Sequence, residues 1–253
     1  MLVVRDLVKR YGQVEAVRGL SFTAHDGEVL GVVGPNGAGK TSALRCCVGI
    51  LRPTAGTIEV DGFSLAREEL RAKARMAFVP ETPNLYPMLS VLEHVRLVAL
   101  AYRAYPSETE FLARARPLLE RLDLWETRDR LASDLSKGMR QKTAIAAAFV
   151  HEPRVMLLDE PLIGIDPNGV REVRRLLHEA RARGVTLVVS THLLEMVERL
   201  CDRVLVLERG RSIAEGSVQW LRERVQAGAS EDLEGVFFKL LREAEAATDT
   251  VPE

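Results

Sequence analysis

The stretch VLGVVGPNGAGKT, residues 29–41, decides the fold of this chain. It opens with five consecutive apolar or glycine residues, which is typical of a strand covered on both faces. A glycine-rich loop follows and runs into SALRCCVGIL, as a loop does where it opens a helix. A buried strand, a glycine loop and a helix in this order predict an α/β sheet with parallel strands.

The loop GPNGAGKT fits the phosphate-binding pattern at every fixed position. Its glycines let consecutive backbone N–H groups turn inward onto phosphate oxygens, and the dipole of the following helix adds to that field. Lys40 supplies a positive charge for the β and γ phosphates, and the Thr41 hydroxyl is a ligand for Mg²⁺. The residues predicted to bind the phosphates are Gly34, Pro35, Asn36, Gly37, Ala38, Gly39, Lys40, Thr41 and Ser42.

Two carboxylates end the apolar run of residues 155–158, at the sheet edge where α/β proteins bind their ligands. Asp159 is the expected partner of Mg²⁺. The alternation of a strand would turn Glu160 to the opposite side, where it is predicted to orient or deprotonate an attacking water. His192 follows a second apolar run and is predicted to hold the γ-phosphate and the water-positioning groups together.

The rest of the chain alternates between strand-like and helical patterns. Residues 1–31 contain short β-like runs between turn signals and predict an antiparallel sheet. Residues 90–145 carry helical spacing and predict an inserted helical subdomain. The predicted fold class is therefore α/β, a P-loop NTPase core over residues 1–216 with a parallel sheet flanked by helices, an N-terminal antiparallel β subdomain and an inserted α-helical subdomain. Residues 217–253 are predicted to be a C-terminal helical extension whose tail frays from Glu243.

Composition and charge exclude several classes of protein. The 35 basic and 36 acidic residues give a net charge of -1, so nothing overall points to nucleic acid as a partner. The arginines of residues 171–183 alternate with glutamates and predict a solvated helix face. Three cysteines are too few for a disulfide framework and are interpreted as buried thiols. No apolar run approaches the ~20 residues of a membrane-spanning helix, and the signal-peptide pattern is missing, so a soluble chain is expected.

The stretch DLSKGMRQK, residues 134–142, raises a separate question. Ser136 is placed as the N-cap of a helix, and Gly138 lets another group approach the backbone closely. A helix start of this kind attracts an anion, although the loop of residues 34–41 already forms a phosphate site. The alternative is an ordinary capped helix with the solvated side chains of Lys137, Arg140 and Lys142.

Together these motifs resemble one family, the ATP-binding subunits of ABC transporters, over nearly the whole chain to about residue 216. The phosphate loop, LSKGM, LLDEP, the turn at residues 164–166 and the histidine of STH stand in the family's order and spacing. The resemblance implies that Tyr11 stacks on adenine. It also implies that Asp159 and Glu160 serve Mg²⁺ and hydrolysis, and that His192 is the switch histidine.

The same resemblance answers the question raised by residues 134–142. It implies that Ser136 and Gly138 contact the γ-phosphate of ATP held by a second subunit, in a head-to-tail dimer with Asp166 at the same seam. The implied cofactors are ATP and Mg²⁺. The implied partners are a second ATPase subunit, as a homodimer, and a separate integral membrane permease, with no nucleic acid. Such a chain is expected in the cytoplasm, bound to the cytoplasmic face of the membrane through the permease.

The chain departs from the family pattern at two places. LSKGM replaces the common LSGGQ, which adds a cation at Lys137 and removes a polar amide at Met139. Glu81 stands where the family usually has a glutamine that senses Mg²⁺ and couples to the membrane. Because a carboxylate binds Mg²⁺ more strongly than an amide does, Glu81 is predicted to be a metal ligand with Thr41 and Asp159. An exposed loop glutamate with no such role is the alternative.

The loop PETPNLYPMLSVLEHV and the C-terminal extension look most like the exporter-associated branch of the family. A transporter ATPase has two alternatives, a soluble ATPase of the same class and a GTP-binding switch protein. A soluble ABC-class ATPase acting on nucleic acid or ribosomes usually carries two cassettes or a long coiled coil, and neither pattern occurs here. A GTP-binding switch protein would need an Asn-Lys-x-Asp motif, which the sequence lacks, and would leave LSKGM unexplained.

Overall fold

The computed structural model describes residues 1–227 and 232–249, with side chains described as far as Ala244. These residues form ten strands: β1 Leu2–Tyr11, β2 Val14–Ala24, β3 Val29–Val33, β4 Ala55–Val60, β5 Phe63–Ser64, β6 Met76–Val79, β7 Val155–Asp159, β8 Thr186–Ser190, β9 Arg203–Glu208 and β10 Arg211–Gly216. They also form nine α-helices: α1 Lys40–Cys47, α2 Glu69–Lys73, α3 Val91–Ala101, α4 Glu108–Arg121, α5 Lys137–Val150, α6 Pro167–Ala182, α7 Leu194–Leu200, α8 Val218–Arg224 and α9 Leu233–Asp249.

A six-stranded sheet forms the centre of the molecule. Its strand order is β10-β9-β3-β8-β7-β6, and every pair is parallel except the edge pair β10-β9. Every residue of β3, β7 and β8 is buried, which explains why these strands do not alternate and carry polar residues only at the ends of β7 and β8. The predicted parallel sheet flanked by helices is confirmed.

A second, antiparallel sheet has the order β2-β1-β4-β5. The predicted N-terminal antiparallel sheet is therefore confirmed, and β4 and β5, which come later in the chain, complete it. Its buried leucines, among them Leu2, Leu7 and Leu20, share one core cluster with Leu44 of α1. Helix α1 follows the glycine loop directly, so the packing of this sheet against α1 helps to hold the loop in place.

Helices α3 and α4 lie within residues 90–145, the region predicted to be helical, whereas α5 begins in this region and ends beyond it, at Val150. Each begins at a serine whose hydroxyl accepts a backbone N–H bond: Ser90, Ser107 and Ser136. An apolar face of α4 and its C-cap is buried in the largest core cluster of the described residues: Phe111, Ala115, Leu118, Leu119 and Leu122. The bounds of a helical subdomain at 90–145 and a division at residue 216 stay predictions.

Helix α9 packs onto the outer part of the central sheet. Leu233, Val236 and Leu240 are buried in a cluster with Val206 of β9 and Leu221 of α8. The prediction of a frayed tail from residue 243 was wrong for residues 243–249, which continue α9. The run EAEAA is rich in strong helix formers, so the backbone stays helical there. The last four residues of that prediction lie outside the described part of the chain.

Candidate nucleotide site

An open cleft of about 420 Å³ lies at the carboxyl ends of β3, β7 and β8. This is the edge at which parallel α/β sheets bind their ligands. The cleft collects residues from five separate parts of the sequence. It is lined by Ala16, Asn36, Gly37, Ala38, Gly39, Lys40, Thr41, Ser42, Glu81, Asp159, Glu160, Ile163 and His192.

The glycine loop forms the floor of this cleft and turns into α1 at Gly39. Gly39 has a φ of 100°, in the left-handed region that favours glycine. A Cβ atom at this position would lie 2.4 Å from the carbonyl oxygen of Ala16. The chain therefore needs glycine here both for the turn and for close packing against the antiparallel sheet.

Lys40, the first residue of α1, is the cation of the cleft. Its Nζ donates hydrogen bonds to the carbonyl oxygens of Gly34 at 2.6 Å and Pro35 at 3.2 Å. Burial lowers the pKa of Lys40, whereas the negative charges of three carboxylates oppose that change: Glu160, Asp159 and Glu81. The ammonium group is thus held between the loop carbonyls and the acidic side of the cleft.

The Glu160 carboxylate is fixed by three donors from the end of β8. Its Oε2 accepts the Thr191 hydroxyl at 3.1 Å, and its Oε1 accepts the backbone N–H of His192 at 3.0 Å. The same Oε1 lies 2.7 Å from His192 Nδ1. Because a carboxylate can only accept, Nδ1 must carry the proton in this bond.

Glu160 lines the same cleft as Asp159, whereas strand alternation predicted that it would point to the opposite side. Strand β7 ends at Asp159, and Glu160 has a φ of 47° in the left-handed region. The alternation of a strand does not extend past its last residue. The turn brings both carboxylates into the same cleft, at a backbone cost of about 1–3 kcal/mol for a non-glycine residue.

Sequence reasoning missed two residues of this site, Ser190 and Thr191. The Ser190 hydroxyl donates to a carboxylate oxygen of Asp159, and Thr191 donates to Glu160. Parallel pairing places Asp159 opposite Ser190. A register drawn between the two apolar strands would have found both residues.

Five predicted site residues do not line the cleft: Tyr11, Gly34, Pro35, Ser136 and Gly138. Tyr11 is 45% exposed at the end of β1, and its hydroxyl lies 3.4 Å from Ser42 Oγ. Ser136 and Gly138 lie at the start of α5. Ser136 is the N-cap of that helix, as predicted, and accepts the backbone N–H of Met139 at 3.2 Å.

The start of α5 packs against the turn at residues 164–166 of the same chain. A Cβ atom at Gly138 would lie 2.5 Å from the carbonyl oxygen of Gly164, so this carbonyl makes the close approach that glycine permits. Lys142 donates from Nζ to Asp166 Oδ1 at 3.1 Å. The Gly169 backbone N–H, followed by Lys142, holds the pKa of Asp166 below its usual value.

Known proteins are similar to this chain in sequence and in fold. The pattern of the family described as ABC transporter matches residues 17–163. The ABC-type transporter ATP-binding protein EcsA of Bacillus subtilis is 34% identical over 88% of this chain and 90% of its own length. The chain belongs to the ABC transporter family. A Nod factor export ATP-binding protein I of Paraburkholderia xenovorans is 41% identical over 83% of this chain and 68% of its own length.

Solved structures of ABC cassettes have the same fold. An ATP-binding subunit of an ABC transporter superposes with a TM-score of 0.89 at 33% identity, over 95% of this chain and 99% of its own. A dimeric ATP-binding cassette bound to ADP and phosphate after hydrolysis has a TM-score of 0.79 at 26% identity, over 86% and 98% of the two chains. The chain is therefore an ATP-binding and ATP-hydrolysing subunit of an ABC transporter.

The oxygen atoms of the cleft fit a hard divalent cation. The Thr41 hydroxyl and the carboxylates of Glu81 and Asp159 line the same space. Within the described residues, no three His, Cys, Asp or Glu side chains gather into a metal cluster of their own. Mg²⁺ is commonly held by one or two carboxylates together with substrate phosphates, so this donor set suits Mg²⁺ that arrives with ATP.

Among the residues that the structure describes, no helix has the length and apolar character needed to cross a bilayer.

Proposed function

We propose that the chain energises export as one of two identical cassettes, with each ATP clamped between the phosphate loop of one copy and the start of α5 in the other. One observation carries the proposal. Lys40, Thr41, Glu81 and the two carboxylates line a single cleft, whereas Ser136 and Gly138 lie outside it. A phosphate site that stands apart from its own nucleotide cleft is explained if it serves a second copy.

Each cleft residue takes a separate part in hydrolysis. Lys40 binds the β and γ phosphates, and Glu160 accepts a proton from the attacking water. His192 keeps Glu160 oriented through the Nδ1–H bond. The metal ion would be held by Thr41, Glu81 and Asp159. When bound, Mg²⁺ neutralises the charge that develops on the phosphates. Tyr11, beside the loop, stacks on the adenine ring.

A separate permease would give this cassette its place on the cytoplasmic face of the membrane. Two observations support this proposal. Relatives are named as export ATP-binding proteins, and large apolar side chains are exposed on the loop before α3 and on α3 itself. These side chains are Tyr86, Met88, Leu97 and Leu100.

The first experiment measures the oligomeric state of Glu160→Gln by light scattering, with and without ATP and Mg²⁺. Loss of the general base slows hydrolysis by roughly 10²–10⁴-fold, so the closed dimer should accumulate. Lys40→Ala in the same background should stay monomeric because it cannot bind the phosphates. A Glu160→Gln chain that stays monomeric at saturating ATP would contradict a homodimer.

Mixing two inactive variants tests whether α5 serves the other copy. Lys40→Ala destroys a phosphate loop, and Ser136→Arg blocks the start of an α5. A mixed dimer retains one intact composite site, so the mixture should hydrolyse ATP although neither variant does so alone. If α5 served its own chain, mixing would restore nothing.

The permease contact is tested by replacing exposed apolar residues with glutamate. Met88→Glu should lower the fraction of the chain that sediments with membranes of the producing cells. Leu70→Glu is the matched control, because Leu70 is equally exposed but lies on α2. Equal membrane fractions for both variants would contradict this contact.

A further inference from the structure

The segment of residues 80–89, between β6 and α3, reaches from the nucleotide cleft to the surface of the protein. Glu81, near its start, lines the cleft. Tyr86 and Met88, near its end, are exposed. Under the proposed function, this one segment carries both a metal ligand and part of the permease contact. Its position relative to the helices therefore affects both.

His94, in the first turn of α3, holds the outer end of this segment. Its side chain is only 5% exposed, and its Nε2 lies 2.8 Å from the backbone nitrogen of Tyr86. A backbone N–H can only donate, so Nε2 is the acceptor and the ring proton lies on Nδ1. Nδ1 in turn lies 2.9 Å from the carbonyl oxygen of Ser90, to which it donates. Both ring nitrogens are thus paired with backbone at the junction of segment and helix.

Gln141, in α5, contacts the inner end of the same segment. Its side chain is 1% exposed, and its Nε2 donates to the carbonyl oxygen of Pro80 at 3.4 Å. Its Oε1 has no hydrogen-bond partner among the described residues. A buried amide with an unpaired oxygen is less favourable than an apolar side chain of similar size, so packing alone does not account for Gln141. The hydrogen bond from its Nε2 goes to Pro80, the residue directly before Glu81.

We propose that His94 and Gln141 are positioning residues that tie the two ends of this segment to α3 and α5 and so fix Glu81 at the cleft. The proposal rests on the proposed role of Glu81 as a metal ligand. Glu81 lies between the two tethered residues, Pro80 and Tyr86. A short chain held at both ends has few conformations, which lowers the entropy lost when the carboxylate takes its place. Movements of α3 and α5 reach Glu81 through the same two bonds.

Hydrogen–deuterium exchange of the segment tests the tether at His94 directly. His94→Leu removes the acceptor for the Tyr86 N–H, and amides of residues 82–89 should exchange about 5- to 10-fold faster, as expected for one net hydrogen bond. His94→Gln can place an amide oxygen near the position of Nε2 and should restore slow exchange. His151→Leu is the matched control, because His151 stacks on Tyr102 away from the segment.

The Mg²⁺ dependence of ATP binding tests the effect on Glu81 without measuring hydrolysis. The readout is the ratio of Kd values for ATP without and with Mg²⁺, by titration calorimetry. We expect His94→Leu and Gln141→Leu to change this ratio several-fold in the direction of Glu81→Gln. Thr143→Val is the control for Gln141→Leu, because the buried Thr143 hydroxyl donates its hydrogen bond within α5, to the Met139 carbonyl oxygen.

A double variant separates this mechanism from general loosening. Adding His94→Leu to Glu81→Gln should change the ratio no further if His94 acts through Glu81. Unchanged exchange in His94→Leu would overturn the proposal, and so would equal loosening in His151→Leu. Should His94→Leu fail to fold, Gln141→Leu carries the same test from the inner end. Glu81→Gln could leave the ratio of Kd values unchanged while hydrogen–deuterium exchange in His94→Leu is faster. That result would support the contact between His94 and the segment and contradict the role of Glu81 as a metal ligand.

Discussion

At the scale of single residues, the Glu160 carboxylate has a fixed direction because Thr191 and His192 donate to its two oxygens. A general base must be oriented as well as basic, since the proton that it accepts moves along one line. The left-handed φ of Glu160 shows that the backbone accepts strain to bring the carboxylate there. The donors that follow β8 therefore fix the carboxylate that is proposed to act as the general base.

Thr191→Val should lower kcat for ATP hydrolysis by roughly 10- to 100-fold, since a hydrogen bond to a charged group contributes about 1.5–3 kcal/mol. The KM for ATP should change little, because Thr191 does not line the cleft. Steady-state ATPase kinetics check this expectation, with Thr191→Ser as the control that keeps the hydroxyl. A Thr191→Val chain with the kcat of the natural chain would show that Thr191 does not orient Glu160.

His151 predicts a pH dependence of stability. Burial lowers the pKa of His151, which stacks on Tyr102 and lies 3.3 Å from the Met76 carbonyl oxygen. Above about pH 6.5 the group is neutral in both folded and unfolded chains and contributes no pH dependence. As the pH falls below this value, the unfolded chain takes up the proton first, so the folded state loses stability until its own lowered pKa is reached.

Urea unfolding at pH 7.5 and pH 5.5 measures this contribution. The change in unfolding free energy between the two pH values should be smaller in His151→Phe than in the natural chain. His178→Phe, at an exposed position of α6, should leave the change unaltered. Equal changes for His151→Phe and the natural chain would contradict the interpretation.

At the scale of secondary-structure elements, the start of α5 has two separable roles. Ser136 caps the helix within its own chain, and it is also proposed to bind a phosphate of the second copy. Gly138 allows the Gly164 carbonyl to pack closely, so the same few residues serve internal packing. Stability and ATP-dependent dimerisation should therefore respond differently to substitutions here.

Two substitutions of Ser136 separate these roles. Ser136→Ala removes the cap and should lower the free energy of unfolding by about 1 kcal/mol. Ser136→Asp keeps a capping oxygen and should be nearly as stable as the natural chain, but its carboxylate repels the γ-phosphate. In the Glu160→Gln background, light scattering should show that Ser136→Asp abolishes the ATP-dependent dimer. A retained dimer would argue against the phosphate role.

At the scale of the whole molecule, α9 extends the hydrophobic core beyond the region matched by the family pattern. Leu240 is buried in the cluster with Val206 of β9, whereas Phe238 is 52% exposed on the same helix. Packing onto the body is the simplest role for α9, and a role in dimerisation or regulation is the alternative. The two side chains allow a direct comparison.

Leu240→Ala should lower the free energy of unfolding by about 2–5 kcal/mol, because it leaves a cavity in the core. Phe238→Ala should change it by less than about 0.5 kcal/mol, as is usual for surface positions. Urea unfolding measures both variants, and light scattering with ATP in the Glu160→Gln background follows dimerisation. A loss of dimer in Phe238→Ala at unchanged stability would favour the alternative role.

The sequence by itself determined the central sheet, the phosphate loop and the identity of the acidic and histidine side chains. These features depend on runs of neighbouring residues, in which burial on both faces, glycine spacing and helix capping are local effects. The family followed from the order of such motifs along the chain.

Only the tertiary structure decided which distant side chains meet. It placed Glu160 in the same cleft as Asp159, past the end of its strand, and set the Thr191 hydroxyl against the Glu160 carboxylate. It also placed His94 and Gln141 at the two ends of one loop. Such contacts depend on how strands register and how helices pack across long stretches of chain. A local sequence pattern does not predict them, because their free energy comes from residues far apart in the sequence.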